Sequence, residues 1–202
     1  MLLAIDTSAG TSVAIVDRDA GVLAVRDSAD TRGHAEVIGT FMADCLAEAG
    51  VVPQQLSAVV AGVGPGPFTG LRVGMAAARV FALGVGKPAL AIGSHDALAF
   101  GLSGPTLIVT DARRREVYWS LYGPPDADGL PLLLEGPALS TPDALLTPAG
   151  FARLEPTTVS AASLGLLAEA MFTHGRAFAT PEAQYLRSPD VTMSAGPKRV
   201  SS

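Results

Sequence analysis

The chain has 202 residues, 49% of them hydrophobic and 16% charged, with a formal net charge of −5. This balance builds a globular body, either one large domain or two small lobes on a shared core, and excludes a largely disordered chain. Basic residues bunch only at Arg113–Arg115 and at Lys198 and Arg199, which excludes tight autonomous binding to a polyanion, because phosphate neutralisation takes several clustered cations.

Three short β-rich runs open the chain, Leu2 to Asp6, Thr11 to Asp17 and Val22 to Asp27, and predict a meander of antiparallel strands. His34 to Ala49 follows with apolar residues at Ile38, Phe41, Met42, Cys45, Leu46 and Ala49, a helical spacing that Gly50 ends. Ser57 to Val63 reads as a strand, Thr69 to Leu83 as a second helix, Ala89 to Ile92 as a strand, and Ser94 as the cap of a short helix. The order is βββαβαβα. A shorter version restarts at Thr106, with strands Thr106 to Asp111, Glu116 to Tyr122 and Leu132 to Glu135. Thr141 and Pro142 then signal a helix start, and Ser160 caps a last helix, Ala161 to His174, that Gly175 ends. The halves share element order rather than sequence. The expected division is 1–103 for a first lobe, 104–187 for a reduced second lobe and 188–202 for a polar, flexible tail.

A single cysteine, Cys45, excludes an intrachain disulfide and a multi-cysteine zinc site, and its apolar neighbours mark it as a packing residue. The opening apolar run meets Asp6 too early for a signal-peptide core, and Arg72 and Arg79 interrupt the longest apolar stretch, Leu71 to Gly86. No membrane span is expected, and the cytoplasm is the expected compartment.

The most informative segment is Gly64-Pro65-Gly66-Pro67-Phe68-Thr69-Gly70-Leu71-Arg72-Val73-Gly74, which follows a strand and opens a helix. A phosphate loop needs Lys-Ser/Thr after its last glycine, whereas Leu71 and Arg72 stand there, and two prolines remove amide donors. The loop reads instead as a rigid strand-to-helix connection. In the helix beyond it only Arg72 and Arg79 share a polar side, while Leu71, Val73, Met75, Val80, Phe81 and Leu83 point all around. Gly70, Gly74 and Ala78 recur every four residues, a row that lets another helix approach closely. The apolar residues of the first helix likewise spread wider than one packed face needs. Surplus of this kind predicts a helix-to-helix subunit interface, with burial in the chain's own core as the alternative.

The chain resembles the TsaB (YeaZ) family, the bacterial accessory subunits of threonylcarbamoyladenosine synthesis on tRNA and paralogues of TsaD. The resemblance rests on Leu3-Ala4-Ile5-Asp6-Thr7-Ser8, on His34, on the glycine-loop segment, on Asp111-Ala112-Arg113 with Glu116-Val117-Tyr118, and on Tyr185-Leu186-Arg187. The glycine loop is the specific part. The family loop carries Ser where this chain has Pro67. The resemblance implies an α/β fold of the ASKHA (actin/Hsp70/sugar-kinase-like) type, two ribonuclease-H-like lobes in tandem with the second reduced. It also implies a heterodimer with TsaD through the first two helices of each subunit, joined by the small ATPase TsaE, with tRNA met through the complex. Transfer goes to the adenosine 3′ of the anticodon in tRNAs reading A-starting codons. Mapped here, the interface is expected on His34, Ile38, Phe41, Met42, Cys45, Leu71, Gly74, Met75 and Ala78. The isolated chain could pair with itself through the same helices.

No catalytic residue and no metal site are expected in this chain. The catalytic paralogue's metal is held by a His-x-x-x-His pair, and here Ile38 stands four residues after His34. Nucleotide binding in this fold class depends on glycines near the phosphates, and neither Asp6-Thr7-Ser8 nor Asp111-Ala112-Arg113 has Gly two residues after Asp. Asp6 and Asp111 remain weak candidates for a magnesium-binding pair across a cleft, or else cap their own turns. ATP and a metal are expected only in the assembled complex. The other functional classes are an ATPase or small-molecule kinase, motivated by Asp6 and Asp111, and a metallopeptidase, motivated by His34 alone. Arg113–Arg115 read as a solvated hairpin turn, and Trp119 as part of a half-buried sheet rather than a base-stacking platform.

Overall fold

The computed structural model describes residues 1–187, and the flexible tail expected at 188–202 lies outside the described residues. The three opening runs form β1 (Leu2–Asp6), β2 (Thr11–Asp17) and β3 (Gly21–Ser28), paired antiparallel. β4 (Ala58–Gly62) and β5 (Ala89–Ile92) add in parallel on the other side of β1, giving the order β3-β2-β1-β4-β5. Parallel pairing needs long connections, and α1 (His34–Ala49) and α2 (Phe68–Val85) supply them.

Side chains alternate across β1. Leu3 and Ile5 enter the core beneath α1 and α2, while Leu2 and Ala4 enter an opposite core with Val60, Ile92, Leu164 and Leu167. Because both faces are covered, β1 and β4 are buried along their whole length, and such strands read as continuous apolar runs.

The second sheet holds β6 (Thr106–Asp111), β7 (Val117–Tyr122), β8 (Leu133–Ser140) and β9 (Ala152–Leu154) in the order β8-β7-β6-β9. β6, β7 and β8 pair antiparallel and β9 runs parallel to β6, the β3-β2-β1-β4 pattern of the first lobe with one strand fewer. The chain is therefore an α/β protein of two ribonuclease-H-like lobes, the second reduced.

Five features differ from the sequence reading, the first being β9, a strand that reading does not contain. The helix expected after Thr141 is a single 3₁₀ turn, Pro142–Ala144, because Pro148 and Gly150 lie close behind it. β8 continues to Ser140 through Pro137, which an edge strand tolerates. The last helix, α4 (Ala161–Thr173), lies within residues 104–187 yet packs on the first sheet; a Cβ on Gly165 would stand 2.6 Å from Val16 Cγ2. In α3 (Ser94–Ala99) the cap is Gly93, and Ser94 is the first helical residue with its hydroxyl engaged elsewhere.

By length and composition alone α2 could cross a bilayer, with a mean hydropathy of 1.3 over 18 residues, despite Arg72 and Arg79. Here one side of it, Gly70, Leu71, Gly74, Met75, Ala78 and Ala82, is buried in the fold.

Candidate functional site

The β1–β2 turn organises the centre of the molecule. The Asp6 carboxylate accepts from Ser8 N at 2.8 Å, from Ser8 Oγ at 2.6 Å and from Ser94 Oγ at 2.6 Å. Burial raises its pKa, against these three hydrogen bonds. A Cβ on Gly62 would overlap Asp6 Oδ2, so only glycine at the end of β4 leaves room for the carboxylate. Thr7 enters α2 itself: its hydroxyl donates to Gly70 O at 2.6 Å and accepts from Gly74 N at 3.0 Å. The Gly70 and Gly74 row thus admits the Thr7 side chain, since a Cβ at Gly74 would overlap Thr7 Oγ1. This corrects the expectation that the row serves an approaching helix. Helix approach and side-chain approach leave the same small-residue signature in a sequence.

The glycine loop is likewise knitted into the fold. Gly64 has φ 105°, a conformation that glycine adopts without strain. It donates to Ser94 Oγ at 3.1 Å and accepts from Ser94 N at 2.7 Å. Gly66 passes so near the β1–β2 turn that a Cβ would stand 2.9 Å from Ser8 Cα. Pro65 is buried, Pro67 caps α2, and Phe68, Thr69 and Gly70 border a cleft between the lobes.

That cleft holds about 780 Å³, and its walls include Ser8, Thr31, Arg32, His34, Thr110, Asp111, Arg113 and Glu155. Asp111 is on its wall with a side chain 73% exposed, whereas Asp6 is buried behind the turn and is not. The two carboxylates do not face each other, because Ser8 and Ser94 draw Asp6 into the protein. His34 is buried, its Nδ1 2.8 Å from Thr11 Oγ1, and burial lowers its pKa. Among the described residues no three His, Cys, Asp or Glu side chains converge as metal ligands. With Ile38 at the next ligand position, the residues present do not fit the metal of the catalytic paralogue. Arg113, Arg114 and Arg115 occupy the left-handed region, with φ 65°, 55° and 63°. Arg113 reaches across the cleft to Thr31 Oγ1 and is half-buried, so the turn is solvated only at Arg114 and Arg115.

The expected interface residues divide sharply. His34, Ile38, Met42, Cys45, Leu71, Gly74, Met75 and Ala78 are buried within the chain, and burial pushes the Cys45 thiol up to about 11. Phe41 alone of that set is half-buried. The i, i+3, i+4, i+7 stripe is what a helix presents to its own sheet, so periodicity selected the inward face. On α2 the outward face carries Ala76, Val80 and Leu83, with Val80 69% and Leu83 82% exposed, whereas the exposed positions of α1 include Glu36, Thr40, Asp44 and Glu48, and its Phe41 packs against the core.

Sequence reading took Ser94 only as a helix cap and gave no role to the adjacent His95 and Asp96. The three do not form a catalytic triad, because each reaches a different place: Ser94 binds Asp6, His95 lies 2.7 Å from Ser120 Oγ and 2.9 Å from Thr110 Oγ1, and Asp96 accepts from Tyr122 Oη at 2.6 Å. Three polar residues opening a helix straight after an apolar strand are the signal that marked them.

Two ribonuclease-H-like sheets with a cleft between them define the actin/Hsp70/sugar-kinase class. The chain superposes with TM-score 0.78 on a Pseudomonas aeruginosa crystal structure described as similar to peptidase YeaZ, 26% identical and covering 92% of this chain and 99% of that one. The model of the family described as TsaD, tRNA N6-adenosine threonylcarbamoyltransferase, matches residues 25–126. An uncharacterized protein of Mycobacterium tuberculosis is 41% identical over 199 residues, 94% of this chain and 92% of its own. The tRNA threonylcarbamoyladenosine biosynthesis protein TsaB of Escherichia coli is 32% identical over 126 residues, 60% of this chain and 54% of its own. The chain belongs to the TsaD family, among its TsaB (YeaZ) members.

Proposed function

We propose that this chain is a non-catalytic subunit that docks a TsaD-like paralogue in threonylcarbamoyladenosine synthesis on tRNA. It supports transfer to the adenosine 3′ of the anticodon in tRNAs reading A-starting codons, in the cytoplasm, within an assembly that includes a TsaE-like ATPase. ATP and the metal belong to the assembly. The resemblance to relatives named TsaB supports the pathway, and the lone, hydrogen-bonded His34 supports an accessory role.

The observation that carries the docking role is the apolar outer face of α2, where Val80 and Leu83 stand in water. Covering such side chains stabilises an assembly by about 1.5–3 kcal/mol each. Co-expression with the TsaD paralogue, followed by a tRNA-modification assay with each subunit omitted, tests the reading. Modification is expected only with both subunits, and Val80→Asp with Leu83→Asp is expected to abolish co-purification while the isolated chain keeps its circular dichroism. Modification by either subunit alone, or intact binding by the charged variant, overturns it.

A further inference from the structure

The two lobes meet at the start of α3. His95 is buried to 2% exposure and bridges Thr110 on β6 and Ser120 on β7. The adjacent Asp96 accepts from Tyr122 Oη, two residues further along β7. Both residues therefore reach the second sheet, while Ser94 and Ala97 of the same helix are held in the first lobe by Asp6 and by the core under α4. Ala99, Ile108 and Tyr122, with Leu98 and Leu154 against them, form a small apolar cluster around the junction. At the cleft mouth, Arg113 bonds Thr31, and Arg187 bonds Glu116 and Arg113 O, so chain segments from both lobes also meet there.

We propose that the His95–Asp96 pair of α3 is an inter-lobe latch, which holds the two sheets as one rigid body and sets the width of the cleft. Hinge opening would strand Thr110, Ser120 and Tyr122 hydroxyls, an imidazole and a carboxyl, and groups stripped of partners in a buried site oppose that motion. Burial holds His95 neutral, at about 3, which suits an imidazole that both donates and accepts between two hydroxyls. The outer face of α2 is then presented from a preformed frame, with no closure on a ligand.

The test uses the full chain carrying spin labels at Ala47→Cys on α1 and Glu135→Cys on β8, both exposed positions, with Cys45 buried and unlabelled. Double electron–electron resonance is expected to give one narrow distance distribution. His95→Ala, and the shape-preserving pair Ser120→Ala with Tyr122→Phe, are expected to broaden it roughly twofold as the minor orientations become populated. If His95→Ala does not fold, the shape-preserving pair decides. A broad or bimodal distribution in the unsubstituted frame overturns the latch, as does a folded variant pair that stays narrow. Both labels sit in one chain, so the result does not depend on whether a TsaD-like subunit docks.

Discussion

Thr7 docks into α2, its hydroxyl donating to the Gly70 carbonyl and accepting from the Gly74 amide. Both helix groups are buried, so a side chain of similar shape without the hydroxyl takes a hydrogen-bond partner from each of them. Thr7→Val is therefore expected to lower unfolding free energy by about 1–3 kcal/mol in urea titration, and Gly74→Ala to cost at least as much by displacing the Thr7 side chain. A change within error in both variants would remove Thr7 from the support of α2. His95 gives a second prediction at this scale. Burial lowers it from 6.5 to about 3, so the unfolded chain takes up its proton at a higher pH than the folded chain. The stability contributed by neutral His95 is fully present above the unfolded value and is lost as pH falls from 6.5 toward 3, by about 1.4 kcal/mol per unit. Asp6 and Asp96 are raised by burial and act in the opposite sense, contributing most below their ordinary value and less as pH rises through their folded values. Comparison with His95→Asn isolates the histidine. Between pH 7 and pH 5 the parent chain is expected to lose roughly 2 kcal/mol more than the variant, read from urea midpoints.

At the scale of elements, α1 occupies His34–Ala49, as its spacing and Gly50 foretell, and α2 differs by one or two residues at each end. These long helices pack on one sheet, so a stripe of apolar residues and a stopping glycine are sufficient to read them. Which side of them meets a partner was not legible, since a stripe that packs inward and a stripe that packs outward look alike until the sheet is in place. Met75 and Val80 show the difference: Met75 is 6% exposed and lies in the core with Leu3, Ile5 and Leu71, whereas Val80 is 69% exposed. Met75→Asp is accordingly expected to unfold the chain, because an unpaired charge among apolar side chains has no hydrogen-bonding partner. Val80→Asp is expected to leave its melting temperature unchanged and to act only on docking. The second lobe was less legible for a related reason. β6 and β7 are read from their runs, β7 with a clean alternation, but β9 has only three residues and β8 breaks its alternation at Gly136 and Pro137, so no period survives in those two to be read. The inter-lobe contacts of His95 and Asp96 join residues 15 to 26 positions apart through side-chain hydrogen bonds, which leave no periodic trace at all.

At the scale of the whole molecule, the chain leaves the first lobe after α3, builds the second sheet, and returns as α4 to complete the core it left. Leu164, Leu167 and Ala168 of α4 pack with Ala4, Val16, Val60 and Ile92, so one face of the first sheet stays unfinished until residues 106–154 have been traversed. If the second sheet melts, α4 is tethered by a long flexible excursion and the closure entropy of that loop opposes its docking. If α4 leaves, the core it shares with Ala4, Val60 and Ile92 is opened to water and that face of the first sheet loses its cover. Each lobe thus needs the other, and the molecule is expected to unfold in one transition. Two natural probes report separately on the halves. The sole tryptophan, Trp119, lies on β7 of the second sheet, while α1, α2 and α4 all pack on the first. Tryptophan fluorescence and helical circular dichroism are expected to give coincident urea curves with one midpoint and one slope. A fluorescence transition that precedes the loss of helix would show the second sheet melting on its own, with the first lobe's core complete without it.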